Sequence, residues 1–105
     1  MADIDISKEA RDDRHGRYVA RVRGAQGEAE LTFTQRAPDL ISADHTGAPE
    51  TLRGTGAAAA LVAYMVDDAR RGGFRIVPRC SYVQAQYAKH PEWDDVFTTR
   101  PGEAP

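Results

Sequence analysis

The sequence predicts an α+β fold, with a mixed sheet that is mostly antiparallel and contains one parallel pair of strands. Residues 16–34 alternate apolar and polar side chains with a period of two, and a glycine-bearing turn at 24–27 interrupts the alternation, which predicts an antiparallel hairpin. Residues 40–77 have the pattern of a strand, a helix and a strand, a unit whose two strands run parallel with a right-handed crossover. A second helical segment follows this unit.

The N-terminal half is predicted to be entirely β. Ile4 and Ile6 alternate with polar residues, which predicts a brief edge strand, and the charged residues 8–14 are predicted to form a loop. The polar positions of the hairpin carry arginines on one strand and glutamates on the other, so ion pairs are expected across its wet face. A further strand starts after a turn at residues 38–39 and ends near residues 45–46.

The C-terminal half contains both predicted helices. Residues 57–71 form the stronger one, because apolar side chains recur at helical spacing and Gly72 is a natural stop. A short strand at residues 74–77 follows, and the last helix spans residues 81–90 and is ended by Pro91. The predicted apolar face of the first helix comprises Ala58, Leu61, Val62, Met65 and Ala69.

Length and composition are those of one small folded domain. The 105 residues predict a single domain over residues 1–97 and a disordered tail over residues 98–105. Fourteen Lys and Arg residues nearly balance 16 Asp and Glu residues, and the net charge of −2 argues against a dedicated nucleic-acid binder. The single cysteine excludes a disulfide framework and a multi-cysteine zinc site, and no metal is expected.

The sequence also predicts a cytoplasmic protein with no membrane partner. The longest apolar run, residues 57–66, has ten residues and is too short to span a bilayer. The N-terminus is acidic and lacks the basic and then apolar start of a secretory signal. Because no apolar helix face is expected to remain exposed, a monomer is predicted.

The loop before the first helix has the composition of an anion-binding site. Gly54 and Gly56 allow a tight turn and a close approach by another molecule. The free N–H groups of the first helical turn and the helix dipole favour an anion there, and Arg53 adds a charge-assisted contact. The loop predicts a phosphate or pyrophosphate site, and the alternative is a loop that needs its glycines only to turn. The residues match neither a P-loop nor a dinucleotide fingerprint.

Several motifs of the C-terminal half occur in the order found in one protein family. Arg53-x-x-Gly56-x-Ala58 resembles the Arg/Gln-x-x-Gly-x-Gly/Ala motif of GCN5-related N-acetyltransferases. The flanking residues are similar to those of the small acetyltransferase-like family of the YjdJ type, over residues 44–97. These flanking motifs are His45-Thr46, Pro49, Leu52-Arg53-Gly54, Pro78-x-Cys80-Ser81-Tyr82 and Lys89-His90-Pro91-Glu92. Ala48 stands where valine is more usual.

The resemblance implies a minimal acetyltransferase fold that uses acetyl-CoA as a cosubstrate and transfers its acetyl group to an amine of unknown identity. Acetyl-CoA would enter where the two parallel strands splay apart, with its pyrophosphate held by backbone N–H groups. The implied CoA-binding residues are Arg53, Gly54, Thr55, Gly56, Ala57 and Ala58. Little chain follows the last predicted helix to form the further strands of larger relatives. The alternative is therefore a non-catalytic CoA-binding or interaction module.

Cys80 and His45 are the candidate catalytic residues. Each lies at the end of one of the two predicted parallel strands, where ligand sites tend to form. A thiol near a helix start with an imidazole in reach has more thiolate for attack on an acetyl thioester, and His45 can instead deprotonate the amine directly. The alternatives are a buried structural cysteine and a histidine bonded to backbone. The resemblance places the cysteine beside the acetyl group.

Two tyrosines of the last helix are further candidates. In larger relatives a tyrosine protonates the leaving thiolate, and Tyr82 or Tyr87 could serve in that way. Their position in the last helix favours core packing instead.

Overall fold

The computed structural model describes residues 3–105 as a five-stranded sheet with two α-helices. The elements are β1 (Ile4–Ala10), β2 (His15–Val22), β3 (Ala29–Ala37), β4 (Leu40–Gly47), a first 3-10 turn (Glu50–Leu52), α1 (Ala57–Gly72), β5 (Arg75–Pro78), α2 (Ser81–Lys89) and a second 3-10 turn (Pro91–Asp95). The spatial order is β1-β2-β3-β4-β5, with antiparallel pairing up to β4 and parallel pairing of β4 with β5. The predicted α+β class with one parallel pair is confirmed.

The first strand is longer than the sequence pattern predicts. Its register with β2 continues as far as Ala10, which lies opposite Gly16, so the loop predicted at residues 8–14 begins only after Ala10. Two charged side chains at the end of β1 have partners in the fold: Lys8 donates a hydrogen bond of 2.8 Å to Asp68 of α1, and Glu9 lies 3.0 Å from Arg17 of β2. Because these contacts satisfy the charges of Lys8 and Glu9, the strand continues through them, and only residues 11–14 of the predicted loop lie outside a strand.

The hairpin of β2 and β3 carries the expected cross-strand ion pairs. The guanidinium of Arg17 lies 2.9 Å from Glu28 and 2.8 Å from Glu30, and Arg21 lies 2.8 Å from Glu28. The prediction of Arg–Glu pairs on this face is confirmed.

Helix α1 ends one residue later than predicted. Gly73, rather than Gly72, adopts the left-handed conformation with φ of 71° and donates its N–H to the carbonyl of Ala69. The buried face comprises Ala57, Leu61, Val62, Met65, Val66 and Ala69. Ala58 was predicted on this face, but it is only half-buried and lines a pocket instead.

The later elements are displaced by about one residue from their predicted bounds. Phe74 donates its N–H to the carbonyl of Ala69, so it belongs to the end of α1, and β5 begins at Arg75. Helix α2 ends at Lys89 because His90 precedes a proline and leaves the helical region, with φ of −131°. No helix within residues 3–105 has the length and apolar character needed to cross a membrane.

Both helices cover the same face of the sheet, since their buried side chains form one core with Leu31 of β3, Ala43 of β4 and Ile76 of β5. The pairing continues beyond β5, where Ile76 exchanges backbone hydrogen bonds with residues 96 and 98 and Phe97 stacks on Tyr87.

The face of the sheet that the helices do not cover is here called the open face. Side chains at alternate strand positions point to it. It carries Arg17, Glu30, Thr32, Thr34 and Ser42.

Candidate functional site

The loop between β4 and α1 takes a shape that requires its glycines. Gly54 has φ of 80° and Gly56 has φ of 85°, both in the left-handed region that other residues rarely adopt. A Cβ atom built at either position would meet no atom within 4 Å, so both glycines border open space. The glycines are needed for the turn, and the turn leaves room for another molecule.

Four backbone N–H groups in this loop have no acceptor within the described part of the chain. They belong to Gly54, Gly56, Ala58 and Ala59. Ala57 instead donates to the hydroxyl of Thr55 at 3.3 Å, and that hydroxyl donates to the carbonyl of Leu52 at 2.6 Å. The Thr55 side chain therefore holds the loop in shape, while neighbouring amides stay free to bind a ligand.

The four residues with free amides all line one pocket of about 330 Å³. The pocket is bounded by Ala48, Pro49, Leu52, Arg53, Gly54, Gly56, Ala57, Ala58, Ala59 and Tyr82. Its walls are formed by the loop after β4, the N-terminus of α1 and the Tyr82 side chain of α2. The partial positive charge at the helix N-terminus and the row of N–H donors make this pocket suitable for a phosphate group.

Arg53 and Tyr82 lie at the rim of the pocket. The Arg53 side chain is 82% exposed and lies 4.0 Å from Glu50, so it is free to turn toward an anion. Tyr82 is half-buried, and burial, with a smaller contribution from Cys80, raises the pKa of its hydroxyl. Tyr82 therefore stays protonated at neutral pH and lines the site, whereas Tyr87 is buried in the core as its position in the helix suggests.

Cys80 forms its side-chain contact with β4. It is the N-cap residue of α2, is 8% exposed, and donates its backbone N–H to the carbonyl of Ala43 at 2.9 Å. Its Sγ lies 3.3 Å from Oγ1 of Thr46. The last residue pair of β4 and β5 is Ala43 opposite Pro78, and the contact of Cys80 with Thr46 involves the part of β4 that continues beyond this pair.

His45 and Cys80 are not brought together as a pair. His45 lies opposite Thr32 and is exposed, whereas Thr46, the residue bonded to Cys80, lies opposite buried Leu31. Side chains of paired residues share a face, so the His45 ring points to the open face and Cys80 lies on the helix side. The sequence places both residues at strand ends, but their faces depend on the register of β4.

The donor set fits a pyrophosphate better than a metal ion. Backbone N–H groups and an arginine bind anions, and two open glycines leave space for the phosphate oxygens. Residues 3–105 contain no group of three or more His, Cys, Asp or Glu side chains arranged to hold a metal ion.

A mixed sheet whose crossover helix begins at a glycine loop with free N–H groups is an arrangement in which proteins commonly bind phosphate groups. The family model described as GCN5-related N-acetyl-transferase matches residues 17–96, which is 80 of the 105 residues. The chain therefore belongs to the GCN5-related N-acetyltransferase family, as its motifs indicate. Members of this family generally use acetyl-CoA and an amine acceptor. No curated protein matches the chain.

Proposed function

We propose that this protein is an N-acetyltransferase that binds acetyl-CoA at residues 53–58 and transfers its acetyl group to an amine. The observation that carries the proposal is that Gly54, Gly56, Ala58 and Ala59, whose backbone N–H groups have no acceptor in residues 3–105, all line one pocket at the N-terminus of α1. Membership of the acetyltransferase family supports the same assignment.

The loop residues have separate roles in holding the pyrophosphate. The free amides donate hydrogen bonds to phosphate oxygens, and the dipole of α1 favours the negative charge. Arg53 adds a charge-assisted bond from the rim, and Thr55 keeps the loop rigid. Ala57 and Ala58 keep the first helical turn free of side chains that would occupy the pocket.

When bound, acetyl-CoA supplies an activated thioester, and the chain must orient it and move protons. We assign these steps to Cys80 and His45. Both lie beside the part of β4 that extends beyond the end of β5, and they lie on opposite faces of the sheet. His45 is exposed and is suited to take the proton of an incoming amine. Cys80, bonded to Thr46, is suited to donate a proton on the helix side.

A thermal melt with and without acetyl-CoA tests the binding site. At about 100 times its Kd, acetyl-CoA should stabilise the fold by about 2.7 kcal/mol, or on the order of 10 °C in a domain of this size. Gly56→Asp should abolish the shift, because a carboxylate would enter an anion site. Gly24→Asp is the matched control, since Gly24 also has a left-handed φ, of 83°, and open surroundings. No shift for the wild type would overturn the proposed site.

Transfer is tested separately, by mass spectrometry of an amine panel incubated with protein and acetyl-CoA. Acetylated product that depends on the folded protein supports the enzyme. A melting shift with no product from any amine would instead support the alternative of a CoA-binding module.

A further inference from the structure

The turn between β2 and β3 contacts the segment that leads from β4 into the glycine loop, residues 48–52, here called the entry segment. Oγ1 of Thr51 donates a hydrogen bond of 2.7 Å to the carbonyl of Gln26 in that turn. A Cβ atom at Gly27 would lie 3.0 Å from Cγ of Pro49, so the turn passes close to the proline ring. Two adjacent residues of the turn therefore hold two residues of the entry segment.

Few other contacts fix the first four residues of the entry segment. Within residues 3–105, the bond from Thr51 to Gln26 is the one hydrogen bond that joins residues 48–51 to a distant part of the chain. All four of these residues are exposed, so they gain little from packing. The turn between β2 and β3 is therefore their main support.

Leu52 connects the position of the entry segment to the shape of the glycine loop. Its side chain is only 2% exposed, and its N–H donates to the carbonyl of Pro49 at 3.0 Å. Its carbonyl accepts hydrogen bonds from the N–H of Thr55 at 3.2 Å and from Oγ1 of Thr55 at 2.6 Å. Pro49 and Leu52 also line the pocket at the N-terminus of α1. A shift of the entry segment therefore moves a wall of this pocket together with the hydroxyl that shapes the loop.

We propose that Thr51 and Gly27 are positioning residues for the acetyl-CoA site, because their contacts keep the loop in its binding shape before the pyrophosphate arrives. This inference rests on the proposed binding of acetyl-CoA at residues 53–58. A site that is ordered in advance loses less conformational entropy when the ligand binds, and its affinity is higher for that reason. Since the loop would hold the pyrophosphate and not the reacting atoms, loss of this support weakens the binding of substrate and transition state equally.

A pair of substitutions at Thr51 tests the role of its hydroxyl. Thr51→Val removes the hydroxyl but keeps the branched shape, and should raise the Kd for acetyl-CoA about fivefold in isothermal titration calorimetry of the full chain, as for the loss of one hydrogen bond. Thr51→Ser keeps the hydroxyl and should bind like the wild type. In steady-state assays Thr51→Val should raise the KM for acetyl-CoA and leave kcat unchanged.

Two glycines of the same turn provide a matched pair of variants. Gly27 has φ of 87° and Gly24 has φ of 83°, so alanine is strained to a similar degree at both positions. Only at Gly27 would the new Cβ atom press on Pro49, since a Cβ atom at Gly24 meets nothing within 4 Å. Both substitutions should lower the melting temperature of the free protein, but only Gly27→Ala should raise the Kd for acetyl-CoA. An equal rise in Kd for both variants would overturn the proposal.

Amide exchange in the free protein separates this inference from the function on which it rests. The N–H groups of Leu52 and Thr55 have acceptors in the entry segment, and by NMR they should exchange faster in Thr51→Val than in the wild type. Unchanged exchange, or a wild-type Kd for Thr51→Val, would overturn the positioning role and leave the acetyl-CoA site standing. No binding of acetyl-CoA by the wild-type protein would overturn the proposed function, and the positioning role with it.

Discussion

The Sγ atom of Cys80 lies 3.3 Å from the Oγ1 atom of Thr46, so the thiol is bonded to a hydroxyl and not to an imidazole. The contact joins the start of α2 to β4 just beyond its last pair with β5, at Ala43. A nucleophilic thiolate needs a base or a cation beside it, and a neutral hydroxyl is neither. For the proposed acetyl transfer, we therefore assign Cys80 the role of a proton donor and not that of a nucleophile.

Replacement of the thiol should lower turnover without loss of CoA binding. Cys80→Ala removes the proton donor, and loss of one general acid typically lowers kcat by about 100-fold. The melting shift with acetyl-CoA should persist, because Cys80 is not among the residues that line the pocket. Thr46→Val, which keeps the shape but removes the hydroxyl, should have a smaller effect. An unchanged kcat for Cys80→Ala would remove the thiol from the mechanism.

The position of the His45 ring depends on Gly47. A Cβ atom at Gly47 would lie 3.2 Å from Nε2 of His45, closer than such contacts normally are, so the ring must move. Gly47→Ala should lower kcat several-fold and leave the acetyl-CoA melting shift unchanged, in a steady-state assay with saturating acetyl-CoA.

A double-mutant cycle provides the control for this prediction. His45→Gln should lower kcat more than Gly47→Ala does, and adding Gly47→Ala to His45→Gln should cause no further loss, because the ring is already absent. Additive losses would show that Gly47 acts independently of His45.

Acid should weaken the contact between α1 and the sheet at Asp68. Burial raises the pKa of Asp68, but hydrogen bonds from Lys8 and Tyr18 outweigh this effect and hold the pKa below its usual value. Burial also keeps Tyr18 protonated, because it raises the pKa of that hydroxyl far above its usual range. Because the folded-state pKa of Asp68 is depressed, its contribution is complete above about pH 5 and is lost as the pH falls through the folded-state value.

Urea unfolding of wild type and Asp68→Asn between pH 7 and pH 2.5 measures this contribution. The difference in the free energy of unfolding should be largest at pH 7 and should shrink below about pH 4. Asp67→Asn, at the exposed neighbouring position, should show little pH-dependent difference. A constant difference for Asp68→Asn would contradict the depressed pKa.

The core beneath α1 should be sensitive to loss of volume. Leu61 is fully buried between the helix and the sheet, so Leu61→Ala should lower the free energy of unfolding by about 3 kcal/mol. Ala63→Ser, at an exposed position of the same helix, should cost only about 0.5 kcal/mol. A loss below 1 kcal/mol for Leu61→Ala in urea unfolding would mean that the core can repack around the site.

Much of the fold follows from local patterns in the sequence. Period-two alternation predicts the hairpin of β2 and β3, and helical spacing with a terminal glycine predicts α1 to within one residue at its end. The loop is equally local, since Gly54 and Gly56 adopt a backbone conformation that glycine alone adopts readily. The monomeric state and the disorder of residues 98–105 stay predictions.

What the tertiary structure alone decided is which side chains meet. The register of β4 against β3 shifts between Thr32 and Phe33, which leaves Asp44 without a partner on β3 and puts His45 opposite Thr32 on the open face. The same register directs Thr46 toward Cys80, 34 residues later in the chain. The sequence by itself determined the elements and the shape of the glycine loop, because glycine conformation and hydrophobic periodicity act over a few residues. The contact between Cys80 and Thr46 required the folded sheet, because strand register is set by contacts between distant segments.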